Sequence, residues 1–354
     1  MDIREFDFDL PPELIAQEPA AQRGESRLLQ LDRRTGRVVH GAISDLPHVL
    51  REGDLVVVNN TRVFPARLLG RRVPSGGAIE CLLIARTDAG QAGKTGEHWQ
   101  ALMHPGQKLR PGARVIFEGS ATLHGEVVDH HFYGRRTVRL WREDGGSVDD
   151  AIESIGHMPL PPYIKRDDRA ADRDRYQTVF ARERGSVAAP TAGLHFTPAL
   201  NASLAARGID IAEITLHVGY GTFQPVRVDR IEDHRMEAEQ YTISETVAQA
   251  INHARGEGRR IVAVGTTTTR TLEAAAAAGG GRVTAGTGAT DLFIYPGYAF
   301  RIVDGLLTNF HLPRSSLLLL VSAFAGVEPV RAAYAAAIAG GYRFYSYGDA
   351  MVVT

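Results

Sequence analysis

Three segments of this chain each set a histidine beside small or aromatic residues: "SVAAPTAGLHFT" (186–197) with His195, "LHVGYGTFQPV" (216–226) with His217, and "TNFHLPRSSL" (308–317) with His311. Imidazole is the side chain that titrates nearest neutral pH, so each ring is a candidate to give or take a proton. One histidine in such a setting is more often structural, but three similar settings raise the expectation of a shared pocket. The first segment carries no charge, and Pro190 and Gly193 keep it out of a regular strand or helix. A nearly apolar loop ending in one titratable ring is expected to border a ligand and exclude water. In the second segment Gly219 and Gly221 follow the strand-like run "IDIAEIT" and let backbone approach a ligand closely. A G-x-G turn after a strand also occurs in methyltransferases, although a plain tight turn is the more frequent explanation. In the third, Pro313 with Ser315 or Ser316 suits a helix start.

A fourth segment, "VGTTTTRTLE" (264–273), follows one predicted strand and opens a helix, the setting of an anion site. It lacks the Gly-Lys-Ser/Thr ending of a nucleotide-binding loop. Its amides and Arg270 could hold a carboxylate; a threonine-rich cap with Arg270 paired to a surface acid is equally open. No H-E-x-x-H or tight carboxylate cluster is present, so no metal is expected, and His130 and His131 read as surface residues.

The elements that must position these residues fall into three textures. Residues 1–66 mix short elements, including the β-rich "GDLVVVNNTRVFPARL". Residues 67–148 hold short β-prone runs punctuated by Gly and Pro, which predicts a small inserted all-β, barrel-like domain. Residues 149–354 alternate helices and strands: Ser244 caps "ETVAQAINHARGEG", "RIVAV" is a buried strand, and "SSLLLLVSAFAG" and "EPVRAAYAAAIAGG" are two further helices. The fold class expected is α/β, a discontinuous main domain interrupted by the β module. Gly279–Gly288 reads as an exposed flexible loop.

Bulk composition sets the class. The 354 residues are 44% hydrophobic and 23% charged, ordinary for a globular protein. A net charge of -1 gives no global basic field, though 40 Lys plus Arg can still gather on one face. The single cysteine, Cys81, excludes an internal disulfide and suits a reducing compartment. "MDIREFDFDL" lacks the features of a signal peptide, and the apolar run Leu317–Val327 is too short to span a bilayer. A cytoplasmic protein without membrane contact is expected.

Ten segments in order resemble the S-adenosylmethionine:tRNA ribosyltransferase-isomerase family, which builds the epoxyqueuosine precursor of queuosine. They include "DFDLPPELIAQEP", "VVNNTRVFPARL", "GHMPLPPYIKR", "YQTVFA", "GTTTTRTLE", "LFIYPGY" and "YRFYSYGDAM" beside the three histidine segments. Two departures are visible: Glu237 stands where many relatives are expected to carry His, and "GTTTTR" replaces a commoner Thr-Thr-Ser-Val-Arg, leaving Arg270 intact.

The resemblance implies an α/β domain interrupted by a β-barrel. It implies transfer of the ribosyl part of S-adenosylmethionine, as co-substrate, to 7-aminomethyl-7-deazaguanine at the tRNA wobble position, with loss of adenine and methionine. The sulfonium acidifies the ribose C5′ hydrogens, so a base is needed there; adenine needs an acid nearby to leave. His195 ranks first for such roles, then His217 and His311, then Glu239 and Asp304. Substrate contacts are expected at Thr191, Gly193, Gly219, Gly221, Thr222, Thr266, Arg270 and Asn309. RNA contacts are expected at Arg62, Arg67, Lys165 and Arg166, with Tyr163 to stack an extruded base and Arg135, Arg136 and Arg139 next in line. A monomer is expected. A methyltransferase acting on RNA and a non-catalytic RNA-binding protein are the rival readings.

Overall fold

The computed structural model describes residues 1–87, 96–131, 134–223 and 226–354, with Thr222 and Phe223 described by their backbone alone. Seventeen strands are found among the described residues: β1 (Arg27–Leu31), β2 (Val38–Ala42), β3 (Leu55–Asn59), β4 (Thr61–Val63), β5 (Arg67–Val73), β6 (Ala78–Thr87), β7 (Glu97–His104), β8 (Arg114–Glu118), β9 (Thr122–His130), β10 (Arg135–Trp141), β11 (Glu183–Ser186), β12 (Asp210–Leu216), β13 (Glu239–Ile243), β14 (Ile261–Val264), β15 (Gly286–Thr290), β16 (Gly305–Asn309) and β17 (Ala350–Val353). The helices are α1 (Leu46–Val49), α2 (Val148–Ile155), α3 (Asp172–Arg175), α4 (Pro198–Ala206), α5 (Glu245–Gly256), α6 (Thr266–Ala278), α7 (Ser316–Ala325) and α8 (Val327–Ala339).

Nine strands form one sheet in the order β15-β13-β12-β3-β14-β16-β17-β1-β2. Its centre, β12-β3-β14-β16, is parallel. β3 is buried along its whole length, as a parallel strand covered on both faces must be. Alternation along it sorts the two layers: Leu55 and Val57 pack with Ile251, Leu272 and Leu319 on one face. Val56 and Val58 pack with Leu46, Phe196 and Leu204 on the other. The predicted caps hold, with Ser244 Oγ accepting from Val247 N–H and Ser315 Oγ from Leu318 N–H. α7 and α8 break at Gly326, whose φ of 91° is in the left-handed region. No single helix among the described residues is long and apolar enough to cross a membrane.

The inserted module is a closed antiparallel barrel, β10-β7-β6-β5-β8-β9. An α/β body interrupted by this barrel is the fold class expected. The barrel cluster does not stop at residue 148, however: Val148, Ala151 and Ile152 of α2 pack into it, as do Phe64 and Val187. The amphipathic face of α2 belongs to the barrel although the helix reads as part of the main domain. The glycine-rich segment also differs from expectation. Gly286–Thr290 is an edge strand on β13, and Gly288 lies under the Tyr241 ring, where a Cβ would stand 2.7 Å from ring carbon. The glycine serves close packing there.

The chain enters the barrel just after β3 and β4 and returns through β11, which pairs with β4. The barrel therefore stands beyond the carboxyl ends of β3 and β12, at the edge of the sheet where open parallel sheets place ligands.

Candidate functional site

Two clefts flank the 219–223 turn beneath the barrel. The first has a volume of about 500 Å3 and is lined by His217, Gly219, Gly221 and Glu239, with Arg184 of β11 and Arg86 of β6 opposite. The second, about 840 Å3, lies between Arg67 and Arg135 of the barrel and the segment Met158–Pro162, with Arg166 and Asp168 beyond. Glu237 lines both and is ion-paired with Arg135 across the domain boundary.

His217 directly follows β12. Its Nδ1 lies 2.9 Å from Thr61 Oγ1, and its ring covers Gly185, where a Cβ would come within 2.7 Å of it. Half-burial lowers its pKa, so the ring is neutral at neutral pH. Among the described residues Nε2 has no hydrogen-bond partner. A neutral imidazole with one nitrogen anchored and the other unoccupied can act as a proton acceptor or donor.

Glu239, the first residue of β13, holds the glycine turn in place. One carboxylate oxygen accepts the Gly219 N–H at 2.8 Å, and the other meets Arg270 Nη1 at 2.5 Å. Arg270 also donates through Nε to the Leu292 carbonyl at 2.8 Å and through Nη2 to the Thr290 carbonyl at 3.3 Å. Its guanidinium is 4% exposed. The expected free cation for a ligand carboxylate is thus committed on three sides. It neutralises Glu239 from behind the pocket wall.

The three histidines do not share a pocket. β12 and β16 are separated by β3 and β14, so His217 and the end of β16 lie about 14 Å apart along the sheet edge at ordinary strand spacing. His195 is buried, with Nδ1 2.8 Å from Ser26 Oγ and Nε2 3.2 Å from Asn309 Nδ2. Asn309 donates as well to the Tyr345 carbonyl at 3.0 Å, so Nε2 of His195 is an acceptor and Nδ1 carries the proton. Burial pushes its pKa down to about 4. It borders a hollow of about 30 Å3. His311, with Nε2 2.8 Å from Thr308 Oγ1 and its N–H on the Tyr334 hydroxyl, is likewise buried and its pKa is pushed down to about 3. Asp304 precedes β16, at the opposite end from these clefts, and its carboxylate accepts the Ile261 N–H at 3.0 Å.

The apolar 186–197 loop has a packing explanation in place of the ligand-lining one. Val187 packs in the barrel, Ala188 against Leu216 and Val218, Ala189 against Tyr176, and Ala192 and Phe196 in the sheet layer. It threads between four clusters, and its small residues are what that allows. Thr191 begins the 3-10 turn 191–195, and Gly193 sits where a Cβ would meet Thr178 Cγ2 at 2.9 Å. Thr266 opens α6 and is buried, behind Gly265 and Ala192. The Thr222 side chain lies outside the described residues.

The expected RNA contacts divide. Arg62 and Lys165 are exposed. Arg67 is paired with Glu80 at 3.0 Å, and Arg166 grips buried Asp172 with two bonds of 2.7 and 2.9 Å. Tyr163 packs against Tyr345, ring centroids 4.6 Å apart and tilted by 49°, and its hydroxyl meets Ser346 Oγ at 2.5 Å. It is partly buried, packed against the sheet-layer and Tyr176 clusters. Of the barrel arginines, Arg136 is buried on the Leu109 and Gly106 carbonyls, and Arg139 pairs with Glu126. Sequence reasoning missed the chain Arg86–Asp149–Arg184 that ties barrel, α2 and β11 together along the first cleft. Its members lie far apart in sequence and no motif marks them.

Fold and clefts together define a two-domain α/β protein of the kind that seats its ligand at the carboxyl ends of parallel strands. The chain belongs to the family described as "Queuosine biosynthesis protein", whose sequence model matches residues 3–353. It is 52% identical over 353 residues to the S-adenosylmethionine:tRNA ribosyltransferase-isomerase of Heliobacterium modesticaldum, with 100% of both chains covered. It is 51% identical, again over 100% of both chains, to the proteins of that name from Symbiobacterium thermophilum and Moorella thermoacetica. The crystal structure of S-adenosylmethionine tRNA ribosyltransferase from Thermotoga maritima is 37% identical, with a TM-score of 0.54, covering 99% of this chain and 100% of that one.

Proposed function

We propose that this protein transfers and isomerises the ribosyl moiety of S-adenosylmethionine onto 7-aminomethyl-7-deazaguanine at the tRNA wobble position, releasing adenine and methionine. Full-length identity near one half to relatives of that name supports the reaction. The observation that carries the site is His217 at the carboxyl end of β12, its Nε2 without a hydrogen-bond partner among the described residues, beside the Gly219–Gly221 turn in a cavity of about 500 Å3. Cavities of that size suit ligands of this class. S-adenosylmethionine is assigned to it.

In this reading His217 takes the proton from C5′ that the adjacent sulfonium has acidified. Gly219 and Gly221 leave the wall without side chains, and the Glu239 carboxylate keeps the turn from shifting. The second cleft receives the RNA, with Lys165 next in the chain to Ile164 and Arg166 of its lining and Arg62 exposed on β4. His195, Asn309, His311 and Asp304 support the fold around the site. The protein acts as a cytoplasmic monomer; the sheet is covered on both faces by its own helices, and the lone Cys81 is buried in the barrel. The G-x-G turn runs into a 3-10 turn at Tyr220–Phe223, and among the described residues before β13 there is none of the long helix that a dinucleotide-type motif opens, which weighs against the methyltransferase reading.

The test is product analysis with methyl-labelled S-adenosylmethionine and tRNA bearing the 7-aminomethyl base. Label is expected in free methionine. Label in the tRNA, with S-adenosylhomocysteine formed, would refute the proposal.

A further inference from the structure

We infer that Thr61 is a positioning residue that fixes the tautomer of His217, an inference that rests on the role proposed for His217 above. Thr61 Oγ1 is 2.9 Å from His217 Nδ1, 2.7 Å from Ser186 Oγ and 3.3 Å from the Glu183 carbonyl oxygen. Ser186 Oγ in turn accepts the Val218 N–H at 2.7 Å. A hydroxyl has one proton to give and two lone pairs to receive with. One assignment satisfies all of these groups at once. Ser186 donates to Thr61, Thr61 donates to the Glu183 carbonyl, and the second lone pair of Thr61 accepts a proton carried on His217 Nδ1. Nε2 is then left as a bare lone pair on the cavity side, the state a base requires.

The arrangement is rigidly held. Thr61 and Ser186 are fully buried, so no solvent competes for these bonds. Threonine is stiff at χ1, which fixes the direction of the hydroxyl. The Asn59 side chain clamps the two strand ends: its Oδ1 accepts the Thr61 N–H at 3.0 Å and the Leu216 N–H at 3.1 Å, and its Nδ2 donates to the Leu216 carbonyl at 2.9 Å. Leu216 immediately precedes His217. The hydroxyl and the ring it addresses are thereby set against each other by one amide.

The experiment reads the tautomer directly, by nitrogen NMR of protein labelled in its histidine rings, with the His217 signals assigned by their loss in His217→Gln. In wild type, Nδ1 is expected to be protonated and Nε2 not. In Thr61→Val the ring is expected to move toward the Nε2-protonated form, and kcat to fall on the order of 10-fold or more, within the range that general-base catalysis supplies. Thr61→Ser is expected to restore both. A protonated Nε2 in wild type, or an unchanged tautomer in Thr61→Val, overturns the inference. Should Thr61→Val fail to fold, Thr61→Ala is read in its place, and an unchanged tautomer there overturns the inference equally. Full turnover in His217→Gln would instead overturn the role of His217 and leave the tautomer result standing.

Discussion

Glu239 and Arg270 form a buried ion pair, 2.5 Å between carboxylate oxygen and Nη1, whose free carboxylate oxygen holds the Gly219 amide. The pair builds the pocket wall and is not spare binding capacity. Removing one partner leaves an uncompensated buried charge, at a cost of about 3–5 kcal/mol. Arg270→Met is therefore expected to lower stability by that order in urea unfolding. Glu239→Gln, whose single amide oxygen cannot serve both Gly219 and Arg270 and which leaves the Arg270 charge buried without its partner, is expected to cost a comparable amount. Unchanged stability with weakened S-adenosylmethionine binding alone would place Arg270 on the ligand.

Acid should destabilise the protein below the ordinary histidine range. Burial depresses His195 to about 4 and His311 to about 3, from the unperturbed 6.5. Below that value the unfolded chain takes up protons that the native rings refuse. Stability is thus fully present above pH 6.5 and is lost as pH falls toward the folded values, by up to about 1.4 kcal/mol per pH unit for each ring. His217 and His234 shift in the same direction. Urea titrations between neutral and mildly acidic pH check this, and His311→Asn should flatten the slope. A stability independent of pH across that window would contradict the buried, neutral assignments.

Lys165 and Arg166 are neighbours with different work. Lys165 is exposed, whereas Arg166 is spent on Asp172. Each phosphate contact on single-stranded RNA contributes about 0.7 to the salt slope of binding. Lys165→Ala is expected to flatten the slope of tRNA affinity by about that amount, and Arg62→Ala likewise. Arg166→Ala is expected to lower stability, on the order of 3 kcal/mol, because Asp172 is left buried without its partner. Identical slopes in the Lys165 and Arg62 variants would move the RNA surface elsewhere, Arg135 being the next position to test.

Much of the fold was legible because local rules decide it. Strand-length runs between Gly and Pro marked the barrel, and Ser244 and Ser315 marked helix starts through bonds made within three residues. Of the candidate site residues, His217 and the Gly219–Gly221 turn come together at one cleft because they follow directly from a strand end. The burial of His195 was not legible because its partners, Ser26 and Asn309, lie 169 and 114 residues away. The ion pair of Arg270 was one of two open readings, and its buried partner was not legible because its acceptors come from β13 and the 290–292 segment. The apolar 186–197 loop has the composition of a ligand wall and of a core thread alike. Only the positions of its neighbours distinguish the two.

The most direct test of the whole reading is adenine release, followed in a single turnover with S-adenosylmethionine and tRNA bearing the 7-aminomethyl base. Wild-type protein is expected to release one adenine per tRNA modified. His217→Ala is expected to slow that release by on the order of 10²–10⁴-fold with its melting curve little changed. Adenine release at the wild-type rate from a folded His217→Ala protein would contradict the assignment of the reacting ribose to this cavity.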